Sequence, residues 1–315
     1  MVKHWRIETL SEKMFDNPGL VTLSGTISDP GTLDSFTLTI NWGRSITLGN
    51  TEEYFLPANG TDSQTFEITH RYVDDHPTDT ASDIYTITAT VTDDDTDLDT
   101  QTTNVSILNL APSIVLDQPA AVDENGLATL TGTIIDAGRL DSFTLTINWG
   151  DSVTEDNTEE YLLSADESGS QRFEITHQYL DDNPDGTLAD IYTITATVTD
   201  DDTGHDAESI NIVVANAPPT LILDPPVVIG PDGLATLTGT VSDVGTLDTF
   251  TLTVDWGDPG SLENTTVELG ASELGEQTFT LTHYYLDELS DSYMITVTVT
   301  DDDTAEETQT TQVLR

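Results

Sequence analysis

Residues 33–43 read LDSFTLTINWG, and this stretch decides the fold of the chain. The same eleven residues recur unchanged at 140–150, and a close copy, LDTFTLTVDWG, occupies 247–257. Within the stretch, apolar side chains alternate with threonine and asparagine, which is the period-two pattern of a strand buried on one face. The stretch therefore predicts a β-strand that ends in a buried tryptophan.

The tryptophan recurs at Trp42, Trp149 and Trp256, a spacing of 107 residues both times. A second segment, DIYTITATVTDDDT, is identical at 83–96 and 190–203. Self-similarity at a fixed period divides a chain into structural units. We therefore predict three tandem repeats, each long enough to bury a hydrophobic core of its own.

We predict that the repeats span 1–111, 112–218 and 219–315, with an atypical N-terminal segment at 1–18. Threonine and β-branched residues dominate the periodic runs, and no window shows a helical period of 3.6 residues. About seven short strands per repeat, separated by Gly, Pro and Asp turns, indicate an antiparallel two-sheet sandwich. The fold class is therefore all-β, with the tryptophan of each repeat between the sheets.

The chain is strongly acidic, with 58 Asp and Glu against 8 Lys and Arg and a formal net charge of −50. This charge disfavours nucleic acid and anionic membrane surfaces as partners and favours divalent cations. There is no cysteine, so disulfides and thiolate sites are excluded. No stretch approaches the roughly 18 apolar residues of a membrane span, and no signal peptide begins the chain. We expect a fragment of a longer protein whose export signal lies elsewhere.

Three motifs of the second repeat resemble the PKD (polycystic kidney disease) domain family: NWGD at 148–151, HQY at 177–179 and YTITATVTDDD at 192–202. The resemblance covers most of all three repeats. It implies an Ig-like sandwich placed outside the cell, with a spacer or adhesive role and no catalytic activity. The chain departs from the family pattern at Arg44, which replaces the turn aspartate in the first repeat. The glycine that usually follows is also replaced, by Ser45, Ser152 and Pro259.

The repeats meet at 109–112, which reads NLAP, and at 216–219, which reads NAPP. We call these the first and the second joint. Proline fixes φ and favours an extended residue before it, so both linkers are predicted to be short and stiff. We therefore expect the repeats to form an elongated, linear array.

Strand order predicts where the acidic loops lie. The turn at 136–141 and the hairpin at 200–202 should meet at the end where the chain enters the repeat, here called the leading end. The Trp-Gly-Asp turn should lie at the opposite, trailing end. Stacking would then bring Asp151 and Asn216 close to the acidic loops of the third repeat, including Asp248.

Carboxylate, amide and backbone oxygens are the ligands that Ca²⁺ prefers. The sequence therefore predicts structural calcium at or near the joints, although aspartate-rich loops can also be solvated turns. Because Arg44 replaces the turn aspartate, two alternatives follow: the first joint binds metal more weakly than the second, or Arg44 itself replaces the cation by pairing with a loop carboxylate. The candidate ligands are Asp29, Asp34, Asp93, Asp94, Asp95, Asn109, Asp136, Asp141, Asp151, Asp200, Asp201, Asp202, Asn216, Asp243, Asp248, Asp258, Asp301, Asp302 and Asp303.

A histidine precedes a tyrosine by two residues in each repeat, so that both side chains face the same side of one strand. These histidines are His70, His177 and His283. A histidine repeated on a β-strand face favours a hydrogen-bonded structural role over catalysis. There is no nucleophile triad, phosphate loop or zinc-ligand cluster, so we predict that the chain is not an enzyme.

The leading hypothesis is a calcium-stiffened stalk or fibre segment of an extracellular or cell-surface repeat protein. Its partners would be neighbouring repeats, another copy of the chain, or a cell-surface or polysaccharide partner. The alternative is a carbohydrate- or protein-binding accessory module of a secreted enzyme. That function requires exposed aromatic side chains, for which the candidates are Tyr54, Tyr161 and Tyr284.

Overall fold

A computed structural model describes most of the chain as strands and turns. The described residues are 6–14, 19–43, 50–75, 79–151, 157–166, 168–182, 186–225, 227–261, 263–272, 274–285 and 291–314, with 6–14 and 227 described by their backbone only. These residues form no helix, and therefore none that could span a membrane. The prediction of an all-β chain is confirmed.

The described strands of the first repeat form two sheets. They are β1 (Arg6–Met14), β2 (Leu20–Ser28), β3 (Phe36–Asn41), β4 (Thr51–Leu56), β5 (Ser63–Arg71), β6 (Ser82–Asp93) and β7 (Leu98–Leu108). One sheet has the order β1-β2-β5 and the other the order β4-β3-β6-β7. All of these pairings are antiparallel.

The described strands of the second repeat include a two-residue strand, the second in chain order. Its strands are β8 (Ser113–Leu116), β9 (Val122–Asp123), β10 (Leu127–Ile135), β11 (Phe143–Asn148), β12 (Thr158–Leu163), β13 (Ser170–Gln178), β14 (Ala189–Asp200) and β15 (His205–Ala215). The sheet orders are β13-β10-β8 and β12-β11-β14-β15-β9. The short strand β9 is parallel to the end of β15, whereas all the other pairings are antiparallel.

The third repeat has the same topology as the second. Its strands are β16 (Thr220–Leu223), β17 (Val227–Val228), β18 (Leu234–Ser242), β19 (Phe250–Asp255), β20 (Thr265–Leu269), β21 (Glu276–Tyr284), β22 (Ser292–Asp301) and β23 (Glu306–Leu314). The sheet orders are β16-β18-β21 and β17-β23-β22-β19-β20. Here too the short strand, β17, is parallel to the last strand, β23.

Three separate hydrophobic cores form, and each draws its side chains from one repeat only. In the middle repeat, Leu145 and Ile147 of β11 are buried, while Thr146 between them is partly exposed. They pack against Leu130 of β10, which lies in the other sheet. The period-two alternation of the sequence therefore places each core between two sheets.

The tryptophan of each repeat organises one end of its core. Trp149 is fully buried and stacks on His177, with ring centroids 4.8 Å apart. The hydroxyl of Tyr179 donates a hydrogen bond of 2.8 Å to the Trp149 carbonyl oxygen, and Asp151 lies 3.2 Å from Nε2 of His177. The first and third repeats have the same stack and the same tyrosine hydrogen bond. The His-x-Tyr motif therefore packs and fixes the tryptophan.

The aspartate-rich hairpins share an unusual backbone. Thr96, Thr203 and Thr304 each have φ of 75°, in the left-handed region that threonine rarely adopts. The aspartate three residues earlier accepts the N–H of the residue after the threonine, for example Gly204 to Asp200 Oδ1 at 2.6 Å. This hydrogen bond closes the hairpin turn.

Candidate metal centres

Three carboxylates converge at the leading end of each repeat. One follows the strand β2, β10 or β18, one lies two residues before the next strand, and one ends β6, β14 or β22. They are Asp29, Asp34 and Asp93; Asp136, Asp141 and Asp200; and Asp243, Asp248 and Asp301. In the first two repeats, one oxygen from each of the three residues lies within 4.8 Å of the others. The structure thus brings three loops to one acidic centre per repeat.

A glycine turn fixes the first carboxylate of each centre. In the second repeat, Oδ1 of Asp136 accepts the N–H of Gly138 at 2.9 Å. A Cβ at Gly138 would lie only 2.2 Å from Oδ2 of Asp141. At Gly245, the matching glycine of the third repeat, a Cβ would lie 2.2 Å from Oε2 of Glu124 in the preceding repeat. The glycine therefore leaves room for carboxylates from more than one loop.

The linker asparagine of one repeat contacts the hairpin of the next. Asn109 Nδ2 donates a hydrogen bond of 2.8 Å to Oδ2 of Asp200, and Asn216 Nδ2 donates one of 2.9 Å to Oδ2 of Asp301. Oδ1 of Asn216 is buried and has no hydrogen-bond partner. The side-chain amide therefore satisfies one carboxylate and leaves its own oxygen toward the joint.

At the first joint, the preceding repeat contributes two further carboxylates. Asp74 and Asp75 follow β5, and their oxygens lie within 4.8 Å of an oxygen of Asp202 in the next repeat. A cavity of about 220 Å³ beside them is lined by Arg71 and Arg139 among other residues. The first joint therefore combines acidic side chains with two arginines.

The second joint is more acidic. Asp181 and Asp182 follow β13 and form one group with Glu124, while Glu124 also forms a group with Asp243 and Asp248 of the third repeat. In each group the oxygens lie within 4.8 Å of one another. This joint therefore gathers carboxylates from three loops of two repeats.

The arginines of the first joint have neutral counterparts at the second. The strand register aligns Arg71 with Gln178, and the repeated turn aligns Arg139 with Thr246. The second joint therefore lacks these two positive charges and carries the additional carboxylate of Glu124.

Several of these carboxylates are buried without a hydrogen-bond partner. Asp182 is 0% exposed and has only the carboxyl group of Asp303 as a partner, whereas Asp248 is 1% exposed and neither of its oxygens has a partner. Glu124 is 2% exposed; its Oε1 accepts the N–H of Ala217 at 2.8 Å, and its Oε2 has no partner. Buried charges without partners are strongly unfavourable, so this arrangement requires either protons or cations.

The pKa values follow this geometry. Burial raises the pKa of Asp248 to about 9, and the neighbouring charge of Glu124 contributes to the rise. Burial likewise raises the pKa of Glu124 to about 8, against the lowering effect of its bond from Ala217. At the first joint, burial and then the charge of Asp74 raise the pKa of Asp141. Without a cation, these groups would retain protons near neutral pH.

In EDTA, we expect the third repeat to become less stable as pH rises from about 5 to about 9. The unfolded chain loses the Asp248 proton at its ordinary pKa of about 4, whereas the folded chain keeps it up to about 9. The folded state therefore binds more protons throughout this window, so the free energy of unfolding falls as pH rises. Melting temperatures at several pH values would measure this slope.

The variant Asp248→Asn has no proton to lose at this position, so its slope should be shallower than that of the unmodified chain. A melting temperature that rises with pH in EDTA would contradict the expectation. Excess Ca²⁺ should weaken the slope, because a bound cation favours the ionised carboxylates.

Two aspartates predicted as ligands are engaged elsewhere. Asp151 and Asp258 lie after the buried tryptophans, and both are buried. Asp151 contacts His177 at 3.2 Å, and Asp258 contacts His283 at 2.9 Å. The carboxylate of the middle repeat that lies beside Asp243 and Asp248 is that of Glu124, which belongs to a different loop from Asp151. Arg44 lies outside the described residues.

The three aspartates of each hairpin have different environments. In the first repeat, Asp94 and Asp95 are exposed. In the later repeats, Asp201 Oδ1 accepts the N–H of Ser142 at 2.9 Å, and Asp302 Oδ1 accepts the N–H of Thr249 at 2.8 Å. These two side chains tie the hairpin to the neighbouring loop. The following aspartates, Asp202 and Asp303, are buried beside the preceding repeat.

The prediction of outward-facing tyrosines is wrong for Tyr54 and Tyr161. Both are half-buried and pack against the core of their repeat, and their hydroxyls donate to the glutamates two residues earlier. They occupy the inward phase of β4 and β12, so the outward residues are Phe55 and Leu162. Only Tyr284, at 54% exposure, faces outward among the three candidates.

No protein-family model and no curated protein sequence matches the chain. Among solved structures, the chain is similar to a tetra-tandem repeat in the extending region of a large adhesion protein. The sequence identity is 17%, the match covers 99% of this chain and 74% of the other, and the TM-score is 0.47.

Two further structures match less well. Escherichia coli alpha-2-macroglobulin activated by porcine elastase matches with 12% identity over 99% of this chain and 32% of its own, at a TM-score of 0.24. Red sea bream transglutaminase matches with 13% identity over 64% of this chain and 31% of its own, at a TM-score of 0.25. These similarities are too low to assign a function.

Proposed function

We propose that the chain is a non-catalytic segment of an extracellular or cell-surface repeat protein, in which calcium fixes each repeat to the next. The repeats would be PKD-like, Ig-like domains in a linear array, and the segment would act as a stalk or as an adhesive spacer. Near-identical tandem copies support this function because they add length without diversifying a binding surface.

The observation that carries the proposal is the composition of the second joint. Carboxylates of two successive repeats face one another there; Asp248 is buried with no hydrogen-bond partner on either oxygen, and Asp182 is buried with only the carboxyl group of Asp303 as a partner. Two repeats would not bury like charges against each other unless protons or cations compensate them. A cation between them would turn this repulsion into the contact that holds the joint.

The donor atoms fit calcium. The described groups offer carboxylate oxygens, and Asn216 offers a buried amide oxygen with no partner. Ca²⁺ binds oxygen ligands at about 2.3–2.6 Å, so two ligands of one ion lie up to about 5 Å apart. Carboxylate oxygens that all lie within 4.8 Å of one another are therefore close enough to bind a single ion. Extracellular calcium modules bind at about 10⁻⁴ to 10⁻³ M, which is the range we expect here.

Small-angle scattering and thermal melting of the full chain, in millimolar Ca²⁺ and in EDTA, test the proposal. Calcium should raise the melting temperature and narrow the distribution of end-to-end distances, because it binds only when two repeats are docked. Magnesium at the same concentration is the matched control, since it retains water and requires a tighter octahedral site. If melting and scattering are both indifferent to calcium, the proposal is wrong.

A further inference from the structure

We propose that the second joint binds two calcium ions and that Glu124 is a ligand shared by both. This inference rests on the proposed function, because both ions belong to the same calcium-dependent joint. It adds a second cation position and a bridging residue, and sequence analysis predicted neither.

The first argument is geometric. Glu124 belongs to two groups of carboxylates, one with Asp243 and Asp248 and one with Asp181 and Asp182. Asp243 and Asp248 lie on the third repeat, whereas Asp181 and Asp182 lie on the middle repeat, as Glu124 does. Glu124 is therefore positioned between two cation positions.

The second argument is the set of unpartnered buried oxygens. Each of the two groups contains its own fully buried aspartate, Asp182 in one and Asp248 in the other; Asp248 has no hydrogen-bond partner, and Asp182 has only the carboxyl group of Asp303. A single ion at one position would leave the aspartate of the other position buried without a cation, which is unfavourable. Two ions provide a partner for both.

The third argument is the way Glu124 is held. The N–H of Ala217, in the second joint, donates to its Oε1, and its Oε2 lies 2.2 Å from the position that a Cβ at residue 245 would take. A carboxylate that is held by the linker and inserted under the facing loop is a rigid bridging ligand. Because the linker and both repeats meet at this side chain, the two ions should bind cooperatively.

The charge supports the same stoichiometry. Asp303 of the third repeat adjoins Asp182, and both side chains are buried. A single divalent ion would balance only two of the carboxylates at this joint. Ions that share one carboxylate lie about 3.5–4 Å apart in two-metal sites, and this distance can be measured.

Native mass spectrometry of the full chain in Ca²⁺ counts the ions. Glu124→Gln preserves the length of the side chain and an acceptor for the Ala217 N–H, but it removes the shared charge. This variant should lose two ions, whereas Asp182→Asn and Asp248→Asn should each lose one. Asp224→Asn, which removes an exposed carboxylate outside the joint, should lose none. A loss of only one ion in Glu124→Gln would overturn the inference.

A second measurement needs no variant. With mixed Tb³⁺ and Eu³⁺ in place of calcium, two ions that share a carboxylate should show strong Tb-to-Eu energy transfer, and Glu124→Gln should lower it. The absence of transfer in the unmodified chain would also overturn the inference. One outcome is that calcium stabilises the unmodified chain while each substituted chain, Glu124→Gln included, binds only one ion fewer. In that case the inference fails and the proposed function stands. If it binds no calcium, the proposed function itself fails.

Discussion

Replacing Trp149 with alanine should destabilise the middle repeat by about 3–5 kcal/mol, the range for truncating a buried tryptophan. Trp149 is fully buried, stacks on His177 and lies at the trailing end of the core. A domain is stable by only about 5–15 kcal/mol, so this loss is a large fraction of the total. Calorimetry should show a separate transition at a lower temperature. Calcium titration should show that both joints are weakened, because the middle repeat contributes carboxylates to each.

Trp42→Ala provides the matched control because it makes the same change in the first repeat, where Trp42 stacks on His70. It should weaken calcium binding at the first joint and leave the second intact. Trp149→Phe should restore part of the stability, because an aromatic ring refills most of the cavity. If the two alanine variants have the same effect on both joints, the repeats do not fold as separate cores.

Asp248→Asn should change the stability of the third repeat in opposite directions with and without calcium. In EDTA at pH 9, we expect a gain of up to about 1–3 kcal/mol, because the substitution removes a buried charge that has no partner. In calcium, we expect the variant to be less stable than the unmodified chain, because one ligand of the ion is missing. A ligand at 100 times its Kd stabilises a protein by about 2.7 kcal/mol, and the variant should lose much of this stabilisation. The melting curves of the variant and the unmodified chain should therefore cross as calcium is added.

Two controls isolate this effect. Asp224→Asn removes one exposed charge from the same repeat and should change the melting temperature only slightly, and by the same amount with and without calcium. Asp258→Asn removes the partner of His283 and should destabilise the repeat with and without calcium. If Asp248→Asn destabilises the third repeat in EDTA as well, then Asp248 forms a favourable contact in the absence of metal.

The sequence predicted the strands and the buried tryptophans because both depend on local alternation. In LDSFTLTINWG, every second residue is apolar, and the fold needs only that pattern to bury Leu38 and Trp42. The same reasoning would have placed Tyr54 inward, because its neighbour Phe55 takes the opposite phase. The tyrosine was assigned outward although the alternation of its strand indicates the reverse.

The joints were harder to predict because their residues come from separate loops. Asp181 and Asp182 follow the His-x-Tyr motif, and their recurrence as Asp74 and Asp75 was the available signal. The sequence cannot show that Asp151, in the neighbouring turn, folds back onto His177. Glu124 gave no periodic signal, since the matching residue of the third repeat is Pro231. Its role depends on a contact between repeats, which local patterns do not encode.

The short parallel strands have a mechanical consequence. In the middle repeat, β9 pairs with the end of β15 through Val122 with Val214 and Asp123 with Ala215, and both strands run toward the trailing end. Tension applied at the two ends of this repeat would pull β9 and β15 in opposite directions along their length. Their hydrogen bonds would then be loaded in shear and would have to break together rather than one by one. Pulling single molecules should therefore show a higher unfolding force for this repeat than for a variant in which proline at residue 122 or 214 removes that pairing.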